Sequence, residues 1–188
     1  GDLLIIPDLG AEVRVDFGDG SPLEHFIMGN INYTDGKSWE CCLRSYLIGA
    51  LETLKIETGL SLLSAFEMEF QFLDGEVNFG PGFGLSGFRE KKEFGETYVA
   101  ALRAAGVNPD SFIREWGEQQ YEVTMHPEIG IKSADSAVIM REIARATAQR
   151  LNDPITFTPI RYPNAVGNGV HIHMSFLDAY HNPATYDH

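Results

Sequence analysis

Three segments of this 188-residue chain alternate apolar and polar residues without a break. In Phe66-Glu67-Met68-Glu69-Phe70-Gln71-Phe72, the aromatic and methionine side chains fall on one side, and Glu67, Glu69 and Gln71 on the other. Gln120-Tyr121-Glu122-Val123-Thr124-Met125 repeats the pattern, and so does Val170-His171-Ile172-His173-Met174-Ser175. Successive side chains of a strand point to opposite faces, so a period of two specifies half-buried strands. Such strands must stack their apolar faces on something, and helical stretches between them can supply it.

The remaining elements follow from breakers and periodicity. Leu3 to Ile6 and Glu12 to Phe17 read as short strands, broken by Pro7-Asp8 and by Gly18-Asp19-Gly20, and Phe26 to Asn32 as another. Leu43 to Thr58 carries a helical stripe (Leu43, Leu47, Ala50, Leu51, Leu54) that Gly59 closes. Leu62 to Leu73 is a long strand, and residues 75–88 read by composition as a mobile glycine-rich loop. Glu93 to Ala105 predicts a helix. Asn108-Pro109-Asp110 predicts the start of a short helix reaching about Arg114, with Pro109 in its first turn. Gln119 to Met125 is a strand, Ser133 to Leu151 a helix capped by Ser133, and Ile155 to Thr158 a strand. The sum is an α+β fold with a mainly antiparallel, curved sheet flanked by helices.

Composition narrows the partners. The chain is 44% hydrophobic, enough for a real core, and has 27 acidic against 14 basic residues, a net charge of -13. That balance argues against nucleic acid and anionic membranes as partners, since both need a positive surface. Cys41 and Cys42 are adjacent and poorly placed for a disulfide, which predicts a reduced, cytoplasmic setting. No apolar run has the length of a membrane span and no signal peptide is evident. Both ends read as cut. Cys41 and Cys42 read as buried small hydrophobes, Trp39 and Trp116 as core or subunit-contact residues, and His25, His126, His181 and His188 as surface or loop histidines.

The polar faces carry the chemistry. Glu67 and Glu69 lie two apart on one strand, roughly 6.5–7 Å along it. Their repulsion is met by water, if the face is solvated, or by a cation. Glu115 precedes Glu122 by seven residues, and the turn Trp116-Gly117-Glu118 can return the chain so that both reach one spot. Glu67, Glu69, Glu115, Glu122 and His171 together make an oxygen-rich donor set suited to Mg²⁺ or Mn²⁺, with no cysteine cluster for structural zinc. That many carboxylates can hold two ions, as phosphoryl transfer uses. His173 and Ser175, further along the same face, can contact a nucleotide or phosphate.

The Glu-x-Glu strand at Glu67 and Glu69, the element from Glu115 to Glu122, and the glycine-rich strand with His171, His173 and Ser175 resemble, in order and spacing, the catalytic domain of the glutamine synthetase family. Leu3-Leu4-Ile5-Ile6-Pro7-Asp8-Leu9 and the stretch from Asp35-Gly36 to Arg44 resemble the end of that family's N-terminal β-grasp domain and its junction. The resemblance implies residues 1–40 as the end of a β-grasp-like domain and 41–188 as the N-terminal part of the ligase domain.

It also implies ATP-dependent ligation of ammonia to the γ-carboxylate of glutamate through a γ-glutamyl phosphate, with two divalent cations, Mg²⁺ or Mn²⁺, per site. Glu69, Glu115 and Glu122 would hold the first cation, with Glu69 and Glu115 near glutamate and the attacking ammonia. Glu67 and His171 would hold the second. His173, Ser175 and Asp110 would lie on the ATP side, Gly167 against the substrate glutamate, and the full-length protein would be a homo-oligomer. Val166 replaces the family's usual asparagine, Gln119 a common glycine, and Ile113-Arg114 a frequent His-His. The acceptor therefore stays open between ammonia and a larger amine, as in γ-glutamyl amide or polyamine ligases. The family's downstream phosphate- and glutamate-binding residues lie beyond this stretch, so the chain alone is expected to be inactive, and a non-catalytic module with the same fold remains a third reading.

Overall fold

The computed structural model describes residues 1–75 and 82–186. A long antiparallel hairpin, β1 (Leu3–Val15) and β2 (Glu24–Tyr33), leads into α1 (Leu43–Thr58) and β3 (Ser61–Phe72). Then come α2 (Leu85–Glu90), α3 (Lys92–Ala104), β4 (Pro109–Arg114), β5 (Gln120–Met125), β6 (Glu128–Ile129), α4 (Ile131–Leu151), β7 (Ile155–Thr156) and β8 (Val170–Leu177). The result is α+β, with antiparallel sheets flanked by helices.

β3 is the spine of the larger sheet. Glu67 and Met68 pair with β5 and β8 at once, so those two strands lie on opposite edges of β3. By the same reasoning, β6 continues the β5 edge and β7 the β8 edge, while β4 pairs outside β5. All these pairings are antiparallel.

One face of the sheet is the core. Met68, Phe70 and Phe72 are fully buried with Tyr121 and Val123, under α3 (Phe94, Tyr98, Leu102) and α4 (Met140, Ile143, Ala144). Each buried Val, Leu, Ile, Met or Phe among them contributes about 1.5–3 kcal/mol through burial. The Phe72 ring meets Phe94 edge-on at 4.8 Å and Tyr121 at 5.2 Å. The Tyr98 hydroxyl donates to the Met140 carbonyl at 2.9 Å, tying the two helices through a buried bond. Val13 and Val15, at the end of β1, join the same core. The hairpin is further fixed by Arg44, whose guanidinium bonds Asp8 and Asn30 from the hairpin and Asp135 from α4.

Several expectations need correction. Residues 3–15 form one strand. The break after Pro7 is a shift of register: Pro7 still pairs with Gly29, and residues 8–11 bulge out before Glu12 pairs with Ile27. The segment 109–114 is a strand. Its Phe112 ring stacks on Tyr121 at 5.4 Å and its backbone pairs with β5, so tertiary pairing overrides the local helix-start signal of Pro109. Within 75–88, Leu85–Glu90 is a helix, and residues 76–81 of that expected loop lie outside the described residues. Helix α4 begins two residues before Ser133, after Gly130 with φ 67°. Ser133 is buried and donates its hydroxyl to the Ser64 carbonyl instead of capping.

Other boundaries shift slightly. Gln119 has φ 52° and stands just outside β5. β7 stops at Thr156, because Thr156 and Thr158 bond each other in a turn. Helix α1 ends at Gly59 with φ 75° as expected, but its stripe is only partly covered: Leu43 and Ala50 are exposed. Cys42 is buried and Cys41 exposed. Trp116 is 67% exposed and so is no core residue of this chain. Among the described residues, no helix is long and apolar enough to cross a membrane.

Candidate functional site

The sheet's other face gathers the polar halves of the three alternating strands. Opposed residues on neighbouring strands share a face, and the register decides which ones meet. Glu67 lies between Thr124 of β5 and His171 of β8, and Glu69 is opposite Glu122. His173 is opposite Ala65, and Ser175 opposite Leu63, successively further from the cluster.

Glu67, Glu122 and His171 each offer a ligand atom, all within 4.8 Å of one another. His171 Nδ1 lies 3.1 Å from Glu67 Oε2, within hydrogen-bond distance, and 3.7 Å from Glu69 Oε1. His173 Nε2 lies 2.8 Å from the other Glu67 oxygen, within hydrogen-bond distance. Glu69 is fixed by two donors on Oε2, the Gln120 amide at 2.7 Å and the Gly169 N–H at 3.0 Å. Glu115 follows the end of β4; its backbone N–H bonds the Gln120 carbonyl at 2.9 Å, and its carboxylate accepts the Trp116 N–H at 3.2 Å. Glu115 thus stands at a strand end, where a helix end was expected.

The electrostatics show how crowded the cluster is. Burial, then repulsion from Glu67, Glu115 and Glu69, pushes the Glu122 carboxyl from its ordinary 4.5 up to about 7, against the opposing pull of His171. Burial also raises Glu115 above the usual carboxylate range, with Glu69 and Glu67 adding to it. Four carboxylates and one imidazole therefore act on one another in one place. Such a group either holds protons or takes a cation, and oxygen and imidazole donors suit Mg²⁺ or Mn²⁺. A cation fits this donor set.

The remaining expected residues are placed as follows. Asp110 is at the far end of β4, exposed, with its carboxylate 3.4 Å from His126 Nε2, and lies outside the cluster. Gly167 has a reason inside the fold: a Cβ there would sit 2.9 Å from the Pro159 carbonyl. Sequence reasoning gave no role to Gly169 or Gln120. A Cβ on Gly169 would stand 2.9 Å from both Glu69 Oε1 and His171 Nε2, so only glycine lets the strand start beside these two groups. The signal was present in the glycine two residues before His171. Gln120 carried a signal too: it follows Gln119, the residue in place of the family's glycine, and stands at the glutamine of that motif, two residues before Glu122.

Comparison with known proteins finds relatives in both sequence and fold. Gamma-glutamylpolyamine synthetase GlnA3 of Streptomyces coelicolor is 26% identical over 186 residues, covering 93% of this chain and 39% of that protein. Type-1 glutamine synthetase 1 of Dictyostelium discoideum is 28% identical over 173 residues, covering 81% of this chain and 35% of that protein. A solved structure described as a novel glutamine synthase homolog superposes with a TM-score of 0.93 at 38% identity, over 99% of this chain and 44% of that one. The chain thus spans less than half the length of these relatives. A family model, the glutamine synthetase catalytic domain, matches residues 40–188, the stretch that holds every group of the cluster. The chain whose sheet sets Glu67, Glu69, Glu122 and His171 on one face, with Glu115 just past the end of β4, belongs to the glutamine synthetase family.

Proposed function

We propose that the protein to which this chain belongs is an ATP-dependent ligase that joins ammonia or an amine to the γ-carboxylate of glutamate. The observation that carries this is the convergence of Glu67, Glu122 and His171 within 4.8 Å, with Glu69 opposite Glu122 and Glu115 in electrostatic reach. Glu69, Glu115 and Glu122 would hold one Mg²⁺ or Mn²⁺, and Glu67 and His171 the second. Bound cations would neutralise phosphate charge and favour transfer of the γ-phosphoryl group of ATP to the glutamate carboxylate. The amine would then attack the acyl carbon of the γ-glutamyl phosphate, the new C–N bond forming as the C–O bond to phosphate breaks and inorganic phosphate leaves.

This chain's own residues have distinct tasks in that reading. The negative charge of Glu69 and Glu115 would draw an ammonium ion beside the glutamate, and Glu115, whose carboxylate is not held by Gln120, would accept the one proton that it loses before attack. His173 anchors Glu67, and with Ser175 lines the strand toward the nucleotide; Asp110 would serve the ATP side only if substrate draws it away from His126. Gly167 keeps the glutamate side open. Residues 1–40 would be the end of a β-grasp-like domain and 41–188 the first part of the ligase domain, within a cytoplasmic homo-oligomer.

A larger amine acceptor is the second reading. Val166, exposed beside Gly167, stands where an asparagine was expected, and similarity to a gamma-glutamylpolyamine synthetase accompanies it. The test uses the full native protein with glutamate, ATP and Mg²⁺, and measures phosphate release with ammonium, methylamine and a polyamine in turn. Release with ammonium supports glutamine formation, and release with a polyamine alone supports the second reading. No release with any amine, together with no Mn²⁺ heat by calorimetry, overturns both and leaves a non-catalytic module.

A further inference from the structure

Gln120 touches all three ligand-bearing segments. It is 1% exposed, and a buried carboxamide must have its donors and acceptor met. Its Nε2 donates toward Glu69 Oε2 at 2.7 Å, the Gly167 carbonyl at 2.8 Å and Asn168 Oδ1 at 3.1 Å. Its Oε1 accepts the Gly117 N–H at 2.8 Å, in the turn between Glu115 and Glu122. A Cβ on Gly117 would run into that carboxamide. With acceptors around the nitrogen and an N–H on the oxygen, only one orientation of the amide satisfies the site.

That orientation determines what Glu69 can offer. Its Oε2 is taken by Gln120 and by the Gly169 N–H, so Oε1, 3.7 Å from His171 Nδ1, is the oxygen turned to the cluster. The bond to Glu69 is charge-assisted and short, which makes it the strongest of the set. The same amide holds Gly167 and Asn168, the turn that leads through Gly169 to His171. We infer that Gln120 is a positioning residue, which presents one oxygen of Glu69 to a divalent cation and couples cation binding to the order of the 167–169 turn. This rests on the cation reading of the cluster given above. Partners that orient carboxylate ligands typically govern metal affinity by about 10- to 100-fold.

The test titrates Mn²⁺ into the native protein and its Gln120→Leu and Gln120→Glu variants by calorimetry, with melts in EDTA to establish folding. Amide hydrogen exchange at Asn168 and Gly169 is followed with and without Mn²⁺. Leucine removes both functions of the amide. Glutamate keeps an acceptor for Gly117 but puts an acceptor against Glu69. Both variants should melt cooperatively in EDTA, bind Mn²⁺ about 10- to 100-fold more weakly, and lose the slowing of exchange at Gly169 that Mn²⁺ causes in the parent. Mn²⁺ affinity within twofold of the parent, or unchanged slowing at Gly169, overturns the inference. If leucine does not fold, glutamate decides. If neither folds, Gln120 is structural and the inference falls. A parent that binds no Mn²⁺ overturns the cation reading itself, and this inference with it.

Discussion

Glu122 should make the metal-free protein less stable as pH rises. Its residue is only 7% exposed, and burial together with Glu67, Glu115 and Glu69 raises its carboxyl from 4.5 to about 7. In the unfolded chain the group loses its proton near its ordinary value. Between that value and the raised one, the folded chain still binds a proton that the unfolded chain has released. Stability therefore falls with rising pH across this window, the contribution being complete below 4.5 and gone above about 7. At about 1.36 kcal/mol per pH unit, the ionised group costs the fold roughly 3 kcal/mol at most, and about 1–3 once water around the cluster is allowed for.

Glu122→Gln mimics the protonated carboxyl at every pH. Urea unfolding in EDTA at about pH 5 and about pH 8 compares variant with parent. The variant should gain about 1–3 kcal/mol over the parent at the higher pH relative to the lower. Saturating Mn²⁺ should shift the comparison back toward the parent, because the parent gains about 2.7 kcal/mol at one hundred times its dissociation constant and the variant less. An equal difference at both pH values, or a larger one at low pH, refutes the reasoning.

Gly169→Ala should weaken Mn²⁺ binding by about tenfold or more, because the new Cβ would displace Glu69 Oε1 or His171 Nε2; calorimetry that finds unchanged affinity overturns the placement of these two groups. Arg44→Met strands Asp135, which the guanidinium meets at 2.9 and 2.8 Å, and should cost about 3–5 kcal/mol in urea unfolding. Asp8→Asn, at a half-exposed partner of the same guanidinium, should cost under about 1 kcal/mol, and equal costs would contradict this account of the junction. Phe72→Ala, which empties a fully buried ring site between Phe94 and Tyr121, should cost about 3–5 kcal/mol by the same assay.

Alternation and breakers are local properties, written in consecutive residues. That is why β3, β5 and β8, their polar faces, helix α1 and its stop at Gly59 were legible in the chain alone. So was the family, since the spacing of Glu67, Glu69, Glu115, Glu122 and His171 is itself sequence. What spacing does not contain is register. A slip of one residue between β3 and β5 would turn Glu122 into the core, and the pairing of Glu69 with Glu122 is set by packing on both faces.

Tertiary structure also turned 109–114 from a local helix signal into a strand, because Phe112 is worth more against Tyr121 than a helix start is worth alone. Arg44 and Asp135, ninety-one positions apart, meet only once the hairpin and α4 are docked. The one amide orientation at Gln120 and the reluctance of Glu122 to ionise exist only where distant carboxylates are buried together, since repulsion and desolvation depend on distance and solvent, which no neighbouring residue fixes.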